Sequence, residues 1–280
     1  METRLSPEQV YQTDLTDEQW ALVEPLLSEL LPARSSQRGR RCKWTVRQIL
    51  NAIVYVVRTA CAWRLLPKDL PPWQTVYGYF YRWREAGIWD KLNATLVELV
   101  RRQAGRETHP SATIIDSQSV KTAEGGEARG VDVHKQVSGR KRHIVVDTLG
   151  LLVLVVVHSA SLPDGTGGKT VLQTLFERLK RSKYNRWCRL KLIWADGAYE
   201  DIVAWVKAQF GWNLEIVRRS KEAKGFHVLP HRWVVERHFG WLGRYRRLGR
   251  DYEHQVASSE AVVYVASIHR MLRLLTTTEN

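Results

Sequence analysis

The chain has 280 residues, 44% of them hydrophobic and 26% charged, a globular composition that excludes wholesale disorder and gives about two domains as a soft expectation. Lys and Arg number 43 against 29 Asp and Glu, a formal net charge of +14, which points to a polyanionic partner: nucleic acid first, an anionic membrane surface second. Three scattered cysteines (Cys42, Cys61, Cys188) exclude a disulfide framework, residues 149–157 are too short an apolar run for a membrane helix of about 20 residues, and residues 1–10 lack an apolar signal core, so a cytosolic protein with no membrane partner is expected.

In chain order, Thr16 and Gln19 form a capping box that opens a helix reaching about Leu27. Residues 32–43 read as a basic linker. Thr45 and Gln48 are a second capping box, followed by Ile49, Leu50, Ile53, Val54 and Val57 at helical spacing. Pro67, Pro71 and Pro72 mark a turn, and a third helix is expected over 73–86, stopped by Gly87. That helix carries Trp73, Tyr77, Tyr79, Tyr81, Arg82, Trp83 and Arg84. Helix, turn and helix resemble a helix-turn-helix DNA-binding unit; a plain helical bundle with the aromatics in its core fits equally well.

The pattern breaks around 103–111, which divides a helical region (1–107) from a second one (108–280). Residues 113–116 read as a strand, 121–139 as a Gly-rich charged loop, and 142–147 and 151–158 as a hairpin turning at Gly150. A helix over 170–180, a strand over 190–195, a helix over 199–210 and a strand over 213–217 follow. Helices over 232–248 and 258–275 close the chain. This is a mixed sheet with flanking helices, an α/β domain.

Phosphodiester chemistry on DNA commonly uses two divalent ions, held by hard carboxylate oxygens from separate elements. Three carboxylates stand at suitable places: Asp116 in the first strand, Asp196 at the end of the fourth, and Glu236 on the following helix. Each has a plainer reading. Asp196-Gly197 alone is an ordinary turn dipeptide, and Glu236 is one helical turn from Arg232. Asp116 follows Ile114 and Ile115 in a central strand, where an unpaired carboxylate is costly. Asp147 fits a role in the hairpin turn, and Asp164 fits a turn or helix start near the site.

On a helix over 232–248, Val234, His238, Trp241, Tyr245 and Leu248 share one stripe. Glu236, Gly240, Gly243 and Arg247 share another, where glycines leave room for phosphate or for the sheet. From Arg218 to Arg250 there are ten Lys or Arg against two Glu, which favours phosphate contact. The expected DNA contacts are Arg232, Arg237, Arg244, Arg246 and Arg247, with Arg82, Arg84, Lys121, Arg140 and Lys141 beyond that segment. No histidine pair shows zinc-ligand spacing.

The stretch Ile115-Asp116-Ser117-Gln118-Ser119-Val120-Lys121 resembles the first-aspartate motif of DDE transposases from bacterial insertion sequences. Trp194-Ala195-Asp196-Gly197-Ala198-Tyr199 resembles their second, and Arg232-Trp233-Val234-Val235-Glu236-Arg237 their glutamate signature. Trp63-Arg64-Leu65-Leu66-Pro67-Lys68 and Lys141-Arg142-His143-Ile144-Val145-Val146-Asp147-Thr148 fit the insertion-sequence-five branch. Three motifs in order, eighty and forty positions apart, are specific together.

The resemblance implies an RNase H-like catalytic domain, with Asp116, Asp196 and Glu236 as metal-binding triad for two Mg²⁺ ions, Mn²⁺ substituting. It implies a homodimer on the inverted-repeat ends of double-stranded DNA, in the bacterial cytoplasm at the nucleoid. Leu229 and Gly243 stand where the wider superfamily has Tyr and Lys, with Arg244 adjacent to the latter. A nuclease that cuts without joining, and a non-catalytic DNA-binding regulator, are the competing functions.

Overall fold

The computed structural model describes residues 11–31, 42–123, 125–181, 189–218 and 232–277. Both capping boxes form: Thr16 and Thr45 accept from the backbone N–H of Gln19 and Gln48, whose side chains reach back to the cap N–H groups. They open α1 (Asp17–Leu30) and α2 (Val46–Thr59). Helix α2 is buried on nearly every side from Ile49 to Val57. The basic linker falls almost wholly outside the described residues.

After α2 the chain crosses residues 60–72 through a short 3-10 turn at Trp63–Leu65, longer than the tight turn of a helix-turn-helix unit. Then come α3 (Trp73–Glu85) and α4 (Ile88–Gln103). Gly87 does more than stop α3. Its φ of 65° reverses the chain at once into a fourth helix, a conformation glycine adopts without strain. Phe80, Trp83 and Trp89 are buried and stack: Trp83 lies 5.2 Å from Trp89, and Trp63 lies 5.2 Å from Phe80. The aromatics of α3 therefore pack largely as a bundle core.

The sheet comprises β1 (Ala112–Lys121), β2 (Gly130–Asp132), β3 (Val137–Asp147), β4 (Leu152–Ser159), β5 (Leu192–Ala195) and β6 (Asn213–Ile216). Its order is β2-β3-β1-β5-β6, with β4 also paired to β3. β1 and β3 are antiparallel, whereas β1, β5 and β6 run parallel. This is the RNase H-like mixed sheet implied by the sequence. Helices α5 (Asp164–Lys180) and α6 (Val203–Phe210) cover one face, with Ile115, Val145 and Ile193. On the other face, α7 (Arg232–Leu242), α8 (Val256–Thr276) and the N-terminal helices pack over Ile114, Ile144 and Val146. One apolar core thus runs from α1 through α8 into the sheet. Among the described residues no helix is long and apolar enough to cross a membrane.

Two sequence expectations need correction here. Residues 121–139 are not one loop: β1 extends to Lys121, and β2 and β3 form a hairpin within the segment. At Gly139 an added Cβ would strike the Val120 carbonyl, so the glycine permits strand approach and does not mark a loop. The helix expected over 232–248 ends at Leu242, and Tyr245 leads into a 3-10 turn at Arg246–Leu248. Gly240 and Gly243 weaken helix propensity at that end.

β4 is an edge strand, and Glu260 on α8 covers part of it by accepting the Val157 N–H at 2.9 Å. Burial, opposed by that bond, pushes the Glu260 carboxyl up to about 7. The folded state therefore holds this proton more tightly than the unfolded chain. Its contribution is present at mildly acid pH and is lost as pH rises through about 7. Wild-type stability is expected to fall relative to Glu260→Gln between about pH 5 and pH 8. Urea unfolding of both proteins across that range checks it; parallel curves would assign no such role to Glu260.

Candidate active site

Three elements carry the proposed triad. Asp116 lies mid-way along β1, on the face shared with Ile114. Asp196 directly follows β5, the parallel neighbour of β1, and its Oδ1 accepts the Ala198 N–H at 2.9 Å to start the next turn. Glu236 lies one helical turn into α7. Parallel β1 and β5 bring the two aspartates side by side, and α7 crosses above them.

All three carboxyl groups face one guanidinium. Arg232 Nη2 lies 4.0 Å from Asp116 Oδ2, 3.7 Å from Asp196 Oδ2 and 3.7 Å from Glu236 Oε1. No two of these oxygens can therefore be further apart than twice the longest contact. Asp116 and Asp196 are largely covered, whereas Glu236 is 57% exposed. Burial, helped by Asp196, pushes the Asp116 carboxyl up to about 6; the Ser117 N–H, Arg232 and Lys135 work against it.

The donor set is all carboxylate, which suits a hard divalent ion, and Arg232 already supplies positive charge at its centre. Among the described residues no three His, Cys, Asp or Glu stand close enough together to hold an ion. The residues fit such an ion by the chemistry of their donors; as they stand the three carboxylates are spaced around Arg232, the group that must yield for them to close on an ion.

Asp164 belongs to a different set. Its Oδ1 accepts from Ser117 Oγ and from Lys141 Nζ, both at 2.8 Å, on the α5 side of β1. Ser117 and Lys141 in this bracing set were not singled out as such from sequence. The available signal was Gly165, Gly167 and Gly168 at the start of α5: side chains there would collide with Asp201, His143 and Tyr199. Gly240 differs, since an added Cβ would meet nothing within 4 Å. The space beside Glu236 is open and is not filled by the sheet.

The expected DNA contacts divide sharply. Arg82, Lys121, Arg244 and Arg246 are exposed. Arg237 is half-buried, its guanidinium between the rings of Trp233 and Trp241 at 4.3 and 4.6 Å. Four others are corrections. Arg140 is fully buried, donating to the carbonyls of Glu127, Glu253 and His254 and pairing with Asp251 at 3.2 Å. Lys141 is buried against Asp164 and the Leu162 carbonyl. Arg247 is buried, pairing with Glu253 at 2.7 Å and donating to the Cys61 carbonyl. The Arg84 side chain is covered by Gln255, Ser258 and Glu85. A buried cation must be paired, and these four are already satisfied inside the protein. Leu229 lies outside the described residues.

A mixed sheet of this order, with helices on both faces, is of the RNase H-like class. Residues 107–271 match the family described as "Transposase DDE domain", and residues 15–93 match "Putative transposase of IS4/5 family". The chain belongs to the DDE-domain transposases of insertion sequences. It is 31% identical over 118 residues to "Insertion element IS402 uncharacterized 16.2 kDa protein" of Burkholderia cepacia, covering 41% of this chain and 78% of that protein. It is 30% identical over 82 residues to "Uncharacterized protein y4sN" of Sinorhizobium fredii, covering 29% of this chain and 62% of that protein. The crystal structure of the Mos1 mariner paired end complex with Mn spans 98% of this chain and 80% of its own, at 11% identity and a TM-score of 0.26, a likeness too slight to carry an argument.

Proposed function

We propose that this transposase cuts the phosphodiester bond at the inverted-repeat ends of its element and joins the freed 3′ end to target DNA, with Asp116, Asp196 and Glu236 as catalytic carboxylates. The observation that carries this is the meeting of three carboxyl groups, from a strand, a strand end and a helix, at one Arg232 nitrogen. Two Mg²⁺ ions, or Mn²⁺ in their place, held by these carboxylates would supply positive charge at the attacking and leaving oxygens.

The chain's own part is to fix the carboxylates and admit the strand. Ser117 N–H donates to Asp116 Oδ1 at 2.7 Å, and Ala198 N–H holds Asp196, so both are oriented in advance. The open side of α7 at Gly240 leaves a path for the strand to Glu236. Of the expected contacts, Lys121, Arg244 and Arg246, with Arg82 on α3, are exposed and available for phosphate. The homodimer on paired ends and the cytoplasmic, nucleoid setting are carried by the family resemblance alone.

The test is incubation of the full chain with a duplex bearing the element's own end, target DNA and Mg²⁺. Cut ends and joined products are expected. Cutting without joining would make it a nuclease, and DNA binding without cutting a regulator.

The division among the cations has its own test. Ala at Lys121, Arg244 or Arg246 is expected to flatten the slope of log affinity against log salt by about one unit each. Arg140→Ala and Arg247→Ala are expected to lower the melting temperature and leave the slope alone. Equal slopes throughout would place the phosphate contacts elsewhere.

A further inference from the structure

Arg232 is held unlike the other inward-facing arginines. Arg140 is locked by direct hydrogen bonds of 2.7–2.9 Å to fixed carbonyls, and Arg247 by a 2.7 Å bond to Glu253. Arg232 makes three contacts of 3.7–4.0 Å from a single nitrogen, each longer than the roughly 2.7–2.9 Å of a charge-assisted hydrogen bond. Charge, and not a fitted hydrogen-bond pocket, keeps it among the carboxylates.

We propose that Arg232 is an exchangeable counter-ion: it balances Asp116, Asp196 and Glu236 before the divalent ion enters, then leaves them for a DNA phosphate, so that metal and DNA bind with positive coupling through this side chain. The inference rests on the catalytic reading above.

Among the described residues the three carboxylates are met by Arg232 and, at Asp116, by Lys135, so the cluster keeps net negative charge and attracts a divalent ion. That ion must sit about 2.0–2.6 Å from the same oxygens, where a guanidinium cannot remain. Expelled alone, Arg232 loses its partners, and this loss weakens metal binding. A phosphate brought close to the carboxylates gives the displaced guanidinium a new anion, and the loss is offset. Whatever DNA contributes to metal affinity, metal contributes equally to DNA affinity. Arg232 is in this sense a positioning residue.

The experiment measures Mn²⁺ binding to the full chain by electron paramagnetic resonance, with and without the element's terminal duplex carrying a phosphorothioate at the scissile position. DNA is expected to tighten Mn²⁺ binding to the wild type by roughly 5–150-fold. Arg232→Gln is expected to bind Mn²⁺ more tightly than wild type without DNA, and to gain little from DNA. In chelator its melting temperature should fall below wild type, and Mn²⁺ should raise it by more. Arg232→Lys, which keeps the charge, should retain the coupling, and it carries the same test if the Gln variant fails to fold. Wild-type Mn²⁺ affinity in Arg232→Gln, or undiminished enhancement by DNA, would overturn the exchange. Asp116→Asn and Asp196→Asn separate the two readings. If neither weakens Mn²⁺ binding, the carboxylate site itself fails and the exchange with it; if both do while Arg232→Gln behaves as wild type, only the exchange fails.

Discussion

Asp116→Asn, Asp196→Asn and Glu236→Gln are each expected to lower cleavage of element-end DNA by at least roughly 10²–10³-fold, with DNA affinity nearly unchanged. Each swap removes one negative charge and almost no volume. The local bonds survive it: an Asn oxygen at 116 can still accept from Ser117 N–H, and one at 196 from Ala198 N–H. Glu236 is largely exposed, so its replacement leaves the core alone. Loss of cutting with an intact fold and intact binding would therefore report the chemistry. Circular dichroism and DNA-binding measurements beside the cleavage assay make the separation. Cleavage retained in Asp196→Asn but lost in Asp164→Asn would move the second aspartate's role to Asp164. The bonds of Asp164 to Ser117 and Lys141 argue against that outcome.

Arg101→Met is expected to destabilise the protein by about 3–5 kcal/mol, because it strands a buried charge. Arg101, at the end of α4, is buried against Asp147, which has no exposure at the end of β3. Arg101 Nε also donates to the Glu107 carbonyl at 2.7 Å, and Asp147 Oδ1 accepts the N–H groups of Leu149 and Leu151 at 2.9 and 2.8 Å. The pair thus ties the helical region to the turn of the central hairpin. Without Arg101, Asp147 must either stay charged in an apolar setting or take up a proton, and both cost stability. A fall in melting temperature on the order of 10 °C is expected. Arg218→Ala, which breaks an exposed pair with Glu200, should change it little. Equal shifts in the two variants would mean that the Arg101–Asp147 pair is not what joins the regions.

Much of the architecture was legible because local rules act alone in it. Both capping boxes fixed where α1 and α2 start, and the Gly150 turn between two apolar runs marked the β3–β4 hairpin. Asp147 was readable as a turn residue, though its pairing with Arg101 was not, since partners 46 positions apart leave no local signal. The basic stretch from Arg140 to His143 misled most. Charge read one residue at a time suggests an exposed patch. In the fold β3 has strand neighbours on both sides, and its cations are met by carbonyls and carboxylates from distant segments.

At the candidate site, Asp196 was legible as the end of a strand and Asp116 as a carboxylate within one, whereas the face assigned to Arg247 was not. That face assumed a helix running past Leu242, and the glycines that were noted for open space also help to end it. The turning of Arg232 onto the carboxylates depends on how α7 crosses the sheet, which no spacing in the sequence encodes.

A crystal structure of the full chain with bound Mn²⁺ and the element's terminal duplex tests the central claim most directly. Anomalous scattering should place Mn²⁺ against the carboxylate oxygens of Asp116, Asp196 and Glu236, with the scissile phosphate beside them. Mn²⁺ bound at other residues, with the Glu236 carboxylate turned away from the two aspartates, would contradict it.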